Sequence, residues 1–196
     1  MNNNETFIRV YENAIDLNFC DELIEKFESN SEQHERMNTK DIKKEDNGSY
    51  SRGGMLFDEL HFWKYMNTWK DEINQLANIF TKYVNEYKLE FSDYAFPKKH
   101  GFEPFKMKRY LPNGEDEFGW HVDVRSFKNM RRFLAMFVYL SDNKEGKTEF
   151  SYQKTTTNCK KGNMVIFPPA WPWLHRGTKP IETPKYFMGT YLHYVE

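Results

Sequence analysis

His121 and Asp123 stand one residue apart in the segment GWHVDV, residues 119–124. In an extended strand, residues i and i+2 point to the same face, so an imidazole and a carboxylate at this spacing could reach one metal ion. A third ligand would come from a distant strand, and His175, in WPWLHRG after the apolar run NMVIFPP, is the candidate. The alternative for each residue taken singly is a hydrogen-bonded, partly buried polar group.

Two further residues favour the metal site. Two histidines and one carboxylate on one face form the facial triad of non-haem Fe(II) oxygenases, which leaves open positions for a cosubstrate and O₂. Lys185 lies ten positions after His175, and a lysine that points into a barrel needs a negative partner because an unpaired buried ammonium is costly. A dicarboxylate would supply that partner if its α-keto acid end chelated the iron. Tyr110, in KRYLPNG, could give the distal carboxylate a phenolic hydrogen bond.

The elements that must position these residues divide the chain into a helical support region, residues 1–100, and a β-rich region, residues 101–196. Apolar residues recur at helical spacing over residues 19–27 and again from Asp58 to Tyr87. Between them, residues 31–54 are polar and charged and predict a loop, either a lid over a site or a plain surface insertion.

Short β-like runs separated by turns follow Pro97 and predict an antiparallel sandwich or barrel. These runs are EPFKMKRYL, RRFLAMFVYLS, KTEFSYQ, NMVIFPP and KYFMGTYLHYV. At 196 residues the chain is predicted to form a single domain, α+β with a mainly β core.

Composition narrows the partners and the compartment. The net charge of −1 counts against binding of duplex nucleic acid, although SFKNMRR is a local basic run. No segment has the length and apolarity of a signal peptide or a membrane span. Two isolated cysteines form neither a disulfide framework nor a cysteine zinc site. A cytoplasmic protein with no membrane partner is therefore expected.

Several motifs, taken in order, resemble the 2-oxoglutarate/Fe(II) dioxygenases of the prolyl 4-hydroxylase type. They cover residues 105–194, and the segment NAIDLNFCDELIEKF resembles that family's opening strand and helix more weakly. The motifs are RYLPNGEDEFGWHVDV, RRFLAMFVYLSDNKEGKTEF, KKGNMVIF, LHRG and KYFMGTYL. The resemblance implies a double-stranded β-helix, or jelly-roll, core. One departure is the family's Gly-Gly turn, which here is Gly146 followed by Lys147.

Carried over residue by residue, the resemblance implies that His121, Asp123 and His175 hold Fe(II). Lys185 would pair with the distal carboxylate of 2-oxoglutarate, with Tyr110 assisting. Thr148 and Thr190 are further candidates for binding this cosubstrate. O₂ would be the second cosubstrate, with ascorbate as an optional addition.

Three residues are candidates for contact with the substrate. Arg132 matches an arginine on the substrate side of the family's cleft, or is a surface charge at the start of a strand. Trp171 and Trp173 lie close in sequence to His175, where they either line a substrate cleft or plug the mouth of the barrel.

Hydroxylation is the predicted reaction, because a halogenase would need the position of Asp123 vacated for chloride. The first hypothesis is a hydroxylase of prolyl residues in a peptide or protein. The second is the same chemistry on a nucleobase, free amino acid or other small molecule. The third is a non-catalytic jelly-roll binding module, against which the triad and Lys185 together argue.

Overall fold

The computed structural model describes residues 6–39, 54–91 and 93–196. In this part of the chain, twelve β-strands and two α-helices are joined by short turns and 3₁₀ segments. The elements are β1 Arg9–Tyr11, α1 Leu17–Ser29, β2 Glu35–Asn38, β3 Met55–His61, α2 Met66–Phe91, β4 His100–Phe102, β5 Lys106–Tyr110, β6 Glu117–His121, β7 Arg132–Tyr139, β8 Asn143–Phe150, β9 Thr155–Cys159, β10 Met164–Phe167, β11 His175–Gly177 and β12 Lys185–Tyr194.

The strands form one antiparallel sheet in the order β1-β10-β7-β12-β5-β3-β6-β11-β8-β9. Strand β2 extends it beside β3, and β4 pairs with β12. The sheet curves so that β3, β5, β6, β7, β8, β11 and β12 all contribute side chains to one cavity. The expectation of a mainly β core is confirmed.

Strand alternation on β12 separates the helix-facing core from the cavity. Met188 and Leu192 belong to the large core cluster that also holds the buried faces of α1 and α2. The alternate residues Lys185, Phe187 and Tyr191 line the cavity. The two helices therefore support the sheet from outside and leave its inner face free for polar chemistry.

Helix α1 follows from its sequence. The side chain of Asp16 accepts the backbone N–H groups of Asn18 and Phe19 and caps the helix. Leu23 and Phe27 are fully buried one turn apart. No helix among the described residues is long and apolar enough to cross a membrane.

Two expectations for the first hundred residues are wrong. The helix predicted from Asp58 begins at Met66, because residues 55–61 form β3, which pairs with β5 and β6 inside the sheet. The region is therefore not only a helical support. The polar loop predicted for residues 31–54 contains a 3₁₀ turn and β2, while its residues 40–53, and the question of a lid, lie outside the described residues.

Candidate metal and cosubstrate site

Sheet register brings His121 and His175 together although 54 positions separate them in the chain. They are direct cross-strand partners of the antiparallel pair β6 and β11. Asp123 follows the end of β6, where its backbone N–H and that of Val124 donate to the carbonyl of Pro169. Ligand atoms of His121, Asp123 and His175 all lie within 4.8 Å of one another. The structure thus forms the cluster that the sequence predicts.

Both imidazoles are oriented by a hydrogen bond from Nδ1 to a backbone carbonyl. Nδ1 of His121 lies 2.7 Å from the carbonyl oxygen of Gly119, and Nδ1 of His175 lies 2.9 Å from that of Trp173. A carbonyl oxygen only accepts, so Nδ1 carries the proton in each ring and donates it. The Nε2 lone pairs then face Asp123, whose carboxylate oxygens lie 3.6 Å from Nε2 of His121 and 3.7 Å from Nε2 of His175.

The protonation states suit metal binding. Burial, with a further contribution from His175, lowers the pKa of His121 to about 3, so this imidazole is neutral at physiological pH. Burial alone would raise the pKa of Asp123, but His175, His121 and the hydroxyl of Tyr191 outweigh it and hold this pKa below its usual value. Imidazole nitrogen and carboxylate oxygen on one face are the donors that a non-haem Fe(II) site uses, so the residues present fit that ion.

A polar network behind Asp123 fixes the orientation of its carboxylate. The hydroxyl of Tyr191 donates to Oδ1 of Asp123 at 2.7 Å. The guanidinium of Arg132 lies 3.7 Å from the centre of the Tyr191 ring, donates to the backbone carbonyl of Asp123 at 3.3 Å and forms two 2.8 Å bonds with Glu103. Sequence reasoning missed Tyr191, although it stands on the same face of β12 as Lys185, six residues further along.

The cavity in front of this cluster has a volume of about 860 Å³. His121, Asp123 and His175 line it, and so do Lys185 and Tyr110. Aromatic rings form much of the remaining wall. They include Phe57, Phe118, Trp120, Phe137, Phe167 and Phe187. The metal cluster and the predicted cosubstrate residues therefore share one cavity.

Lys185 is buried in the wall of this cavity. Its side chain is 1% exposed, and Nζ lies 5.3 Å, 5.5 Å and 5.6 Å from the ring centres of Tyr110, Tyr139 and Phe187. No carboxylate in the described part of the chain pairs with it. Burial lowers the pKa of Lys185 to about 8. The ammonium is thus an unneutralised cation at neutral pH, which is costly unless a ligand supplies the anion.

Two glycines accommodate the Lys185 side chain. A Cβ at Gly146 would lie 2.9 Å from Cδ of Lys185, and a Cβ at Gly177 would lie 3.6 Å from Nζ. Gly146, which lies within β8, is therefore required by the path of the lysine stem. Gly177 is two residues from His175 on β11, and so places the ammonium about 7 Å along that strand from the histidine.

The other predicted cosubstrate residues lie at different positions. Tyr110 is the register partner of Lys185 and is buried beside it. The hydroxyl of Thr148 lies 2.7 Å from that of Tyr139, a buried residue that sequence reasoning missed. Thr190 faces the opposite side of β12 from Lys185 by strand alternation, and its hydroxyl donates to the carbonyl of Glu103, although it is also a cavity-lining residue.

The three residues predicted to contact the substrate also lie at different positions. Arg132 lines the cavity and is only partly exposed, so it is more than a surface charge at a strand start. Trp173 packs against a second, smaller core cluster that includes Ile8 and Phe167. Its indole N–H donates to the carbonyl of Thr6 at 2.8 Å. Trp171 is 74% exposed. Neither tryptophan lines the cavity described above, whereas Trp120 does.

A known family model matches the β-rich part of the chain. Residues 105–193 match the family model of the 2OG-Fe(II) oxygenase superfamily. That family implies Fe(II), 2-oxoglutarate and O₂, and the His-Asp-His cluster lies within the matched residues. No curated protein matches the chain.

Solved structures of prolyl hydroxylases share the fold. A viral collagen prolyl hydroxylase of Paramecium Bursaria Chlorella virus-1 is 18% identical, with a TM-score of 0.61 over 97% of both chains. A prolyl-4-hydroxylase of Pseudomonas putida is 11% identical, with a TM-score of 0.60 over 97% of this chain and 94% of that one. A prolyl hydroxylase of Trichoplax adhaerens, in complex with a hypoxia inducible factor peptide fragment, is 10% identical, with a TM-score of 0.68 over 97% and 84%. The expected jelly-roll is confirmed.

Proposed function

We propose that this protein is a 2OG-Fe(II) oxygenase and that it hydroxylates prolyl residues of a peptide or protein, releasing succinate and CO₂ from 2-oxoglutarate. The observation that carries the proposal is the buried, unpaired ammonium of Lys185 in the same cavity as the His-Asp-His cluster. A metal-binding module without catalysis would have no use for this cation, because its burial destabilises the fold unless an anionic ligand arrives.

His121, Asp123 and His175 are proposed to hold the iron. The backbone carbonyls that accept from Nδ1 fix both tautomers, and Tyr191 fixes one oxygen of Asp123. When bound, the iron supplies the oxidising chemistry that couples decarboxylation of 2-oxoglutarate to hydroxylation of a C–H bond. The apolar rings around the ligands exclude water from the place where the substrate C–H must lie.

Lys185 is proposed to bind the distal carboxylate of 2-oxoglutarate. The phenol of Tyr110 stands beside it as a hydrogen-bond donor, and the paired hydroxyls of Tyr139 and Thr148 are further partners for that carboxylate. Thr190 is a weaker candidate, because its proton already goes to Glu103.

A prolyl substrate is proposed for two reasons. The solved structures with this fold include prolyl hydroxylases, one of them in complex with a peptide fragment. The cavity is also lined by aromatic rings near the metal cluster, Trp120 and Phe167 among them, and an apolar pyrrolidine ring can pack on such rings. Arg132 is proposed to lie on the substrate side of the cleft.

The test has a binding step and a turnover step. Anaerobic titration with Fe(II) and 2-oxoglutarate should show binding that His175→Ala reduces for the metal and Lys185→Met reduces for 2-oxoglutarate. Under O₂, succinate release should rise with Pro-containing peptides, and mass spectrometry should find an added oxygen on the prolyl residue. Stimulation by nucleosides or free amino acids alone would contradict the prolyl assignment.

A further inference from the structure

A second lysine, Lys108, lines the cavity and has no role in the proposed function. On β5, the residues Lys106, Lys108 and Tyr110 alternate toward the cavity. The Lys108 side chain is only 15% exposed. Its Nζ lies 4.5 Å, 4.9 Å and 5.5 Å from the ring centres of Phe57, Phe118 and Phe187.

The carboxylate of Glu59 forms ion pairs with both Lys106 and Lys108. Glu59 is 4% exposed and lies 3.1 Å from Nζ of Lys106 and 3.5 Å from Nζ of Lys108. His61 also contacts Glu59, at 2.8 Å, but burial and the nearby Lys106 lower the pKa of His61, so it is neutral at physiological pH. Burial lowers the pKa of Lys108 in spite of the nearby Glu59, which is the direction expected for an ammonium that a shared carboxylate does not neutralise.

Cationic side chains also outnumber carboxylates over the whole lining of the cavity. Its lining includes five cationic side chains and two carboxylates. They are Lys106, Lys108, Arg125, Arg132 and Lys185 against Glu59 and Asp123. Glu103 offsets Arg132 from outside the lining, and the metal would add two positive charges against the two negative charges of 2-oxoglutarate. An excess of positive charge remains, which favours an anionic substrate.

The cosubstrate does not account for Lys108. In the proposed function, one carboxylate of 2-oxoglutarate meets Lys185 and the other end binds the metal. Along β5, Lys108 and Lys106 extend away from Tyr110, the register partner of Lys185, toward the level of Gly189 on β12. This direction leads along β12 to Tyr191, which holds Asp123. Lys108 and Lys106 thus line the cavity beside the path from Lys185 to the metal cluster, and neither is an anchor of 2-oxoglutarate or a metal ligand in the proposed function.

We infer that Lys108, with Lys106, recognises a carboxylate of the substrate, and that this carboxylate is an aspartyl or glutamyl side chain next to the hydroxylated prolyl residue. The inference rests on the proposed function and names the substrate class more closely. An acidic peptide fits better than a free amino acid, because a cavity of about 860 Å³ holds much more than one small carboxylate beside 2-oxoglutarate.

The test measures binding rather than turnover. The enzyme is loaded anaerobically with Mn(II) and 2-oxoglutarate and titrated with paired fluorescent peptides that carry Glu or Gln beside one proline. Wild type should bind the Glu peptide about tenfold more tightly. Lys108→Met should reduce that ratio to within twofold and leave the Kd for 2-oxoglutarate unchanged. Lys144→Met, which removes an exposed lysine of β8, should keep the tenfold ratio.

A second variant guards against a folding defect in Lys108→Met. Glu59→Gln removes the carboxylate that competes for both lysines, so its preference for the Glu peptide should increase above that of wild type. Thermal melting of each variant shows whether it is folded. A Glu59→Gln variant that is folded and no more selective than wild type would contradict the inference.

Other outcomes of the same titrations would contradict the inference or the proposed function. Equal affinity of wild type for the two peptides overturns the inference, and so does a Lys108→Met variant that loses 2-oxoglutarate binding but keeps the peptide ratio. Tight binding of free proline, dependent on Lys108 and without peptide binding, overturns the peptide assignment. Hydroxylation of a residue other than proline, with the Glu preference intact, contradicts the proposed function and supports the role of Lys108.

Discussion

Replacing Lys185 by methionine should stabilise the metal-free protein while it abolishes cosubstrate binding. The side chain is 1% exposed and, in the described residues, meets aromatic rings rather than a carboxylate. Methionine has a similar length and no charge, so it removes the buried ammonium without leaving a large void. The expected signs are opposite because the cation is present for a ligand and not for the fold.

The magnitude follows from the titration of the amine. Burial lowers the pKa of Lys185 from 10.5 to about 8. Each tenfold change in the acid dissociation constant corresponds to about 1.4 kcal/mol, so at pH 7 the charged amine costs the fold about 3 kcal/mol. For a chain of this length, 1 kcal/mol shifts the Tm by roughly 2–4 °C. Lys185→Met should therefore raise the Tm by about 6–12 °C in EDTA at pH 7.

The dependence on pH gives a second check. Below pH 8 the amine is charged in both the folded and the unfolded chain, so the cost is fully present. Between pH 8 and 10.5 the unfolded chain binds a proton that the folded chain has released, so the stability of wild type rises with pH. The difference in Tm between wild type and Lys185→Met should close over this range.

Differential scanning calorimetry measures both effects. With Mn(II) present, 2-oxoglutarate should raise the Tm of wild type and leave that of Lys185→Met unchanged. Lys144→Met is the matched control, because this exposed lysine should affect neither the Tm nor the ligand response. A variant at position 185 that melts at or below the wild-type temperature at pH 7 would refute the reasoning.

Three further results are expected. His175→Ala should abolish Fe(II)-dependent succinate release, and retention of full turnover would remove this residue from the metal site. Gly146→Ala should raise the KM for 2-oxoglutarate about tenfold with a smaller change in kcat, since its methyl group displaces the Lys185 stem; an unchanged KM would contradict the steric argument. Tyr191→Phe should weaken Fe(II) binding by about 10–100-fold through the lost bond to Asp123, and an unchanged metal Kd in anaerobic titration would show that the bond does not orient the ligand.

The sequence predicts the metal cluster because several short motifs occur in the order and spacing of the family that they resemble. The His-x-Asp spacing and the strand before His175 are visible in short windows, and register then joins β6 to β11. The role of Lys185 is implied by the same resemblance, in which a basic residue follows the second histidine by about ten positions. Tyr191 follows from the same strand as Lys185 by alternation, but nothing local indicates that its hydroxyl meets Asp123.

The wall formed by Glu59 and Lys108 could not be predicted. Residues 58–69 have apolar side chains at helical spacing, and this period favours a helix. Pairing of β3 with β5 and β6 overrides that preference and places Glu59 inside the cavity opposite Lys108. Such a pairing depends on residues about 50 positions apart, which no short window contains.

Trp171 and Trp173 show a second limit of prediction from sequence. Their nearness to His175 in sequence suggested a substrate cleft, but neighbours on an irregular segment point in unrelated directions. Trp173 turns toward the N-terminal segment, where it meets Phe7 edge-on, and Trp171 turns toward solvent. Trp120, which precedes His121 on β6, does line the cavity.

The positions of Gly177 and His175 on one strand limit the chain length of the keto acid that the site accepts. The ammonium of Lys185 stands beside Gly177, which is two residues from His175 on the three-residue strand β11, and hydrogen-bonded strands flank β11 on both sides. A keto acid one methylene shorter would leave the ammonium without its anion, and one methylene longer would have to buckle. Oxaloacetate and 2-oxoadipate should therefore be poor replacements for 2-oxoglutarate, because the sheet cannot adjust its own spacing to them.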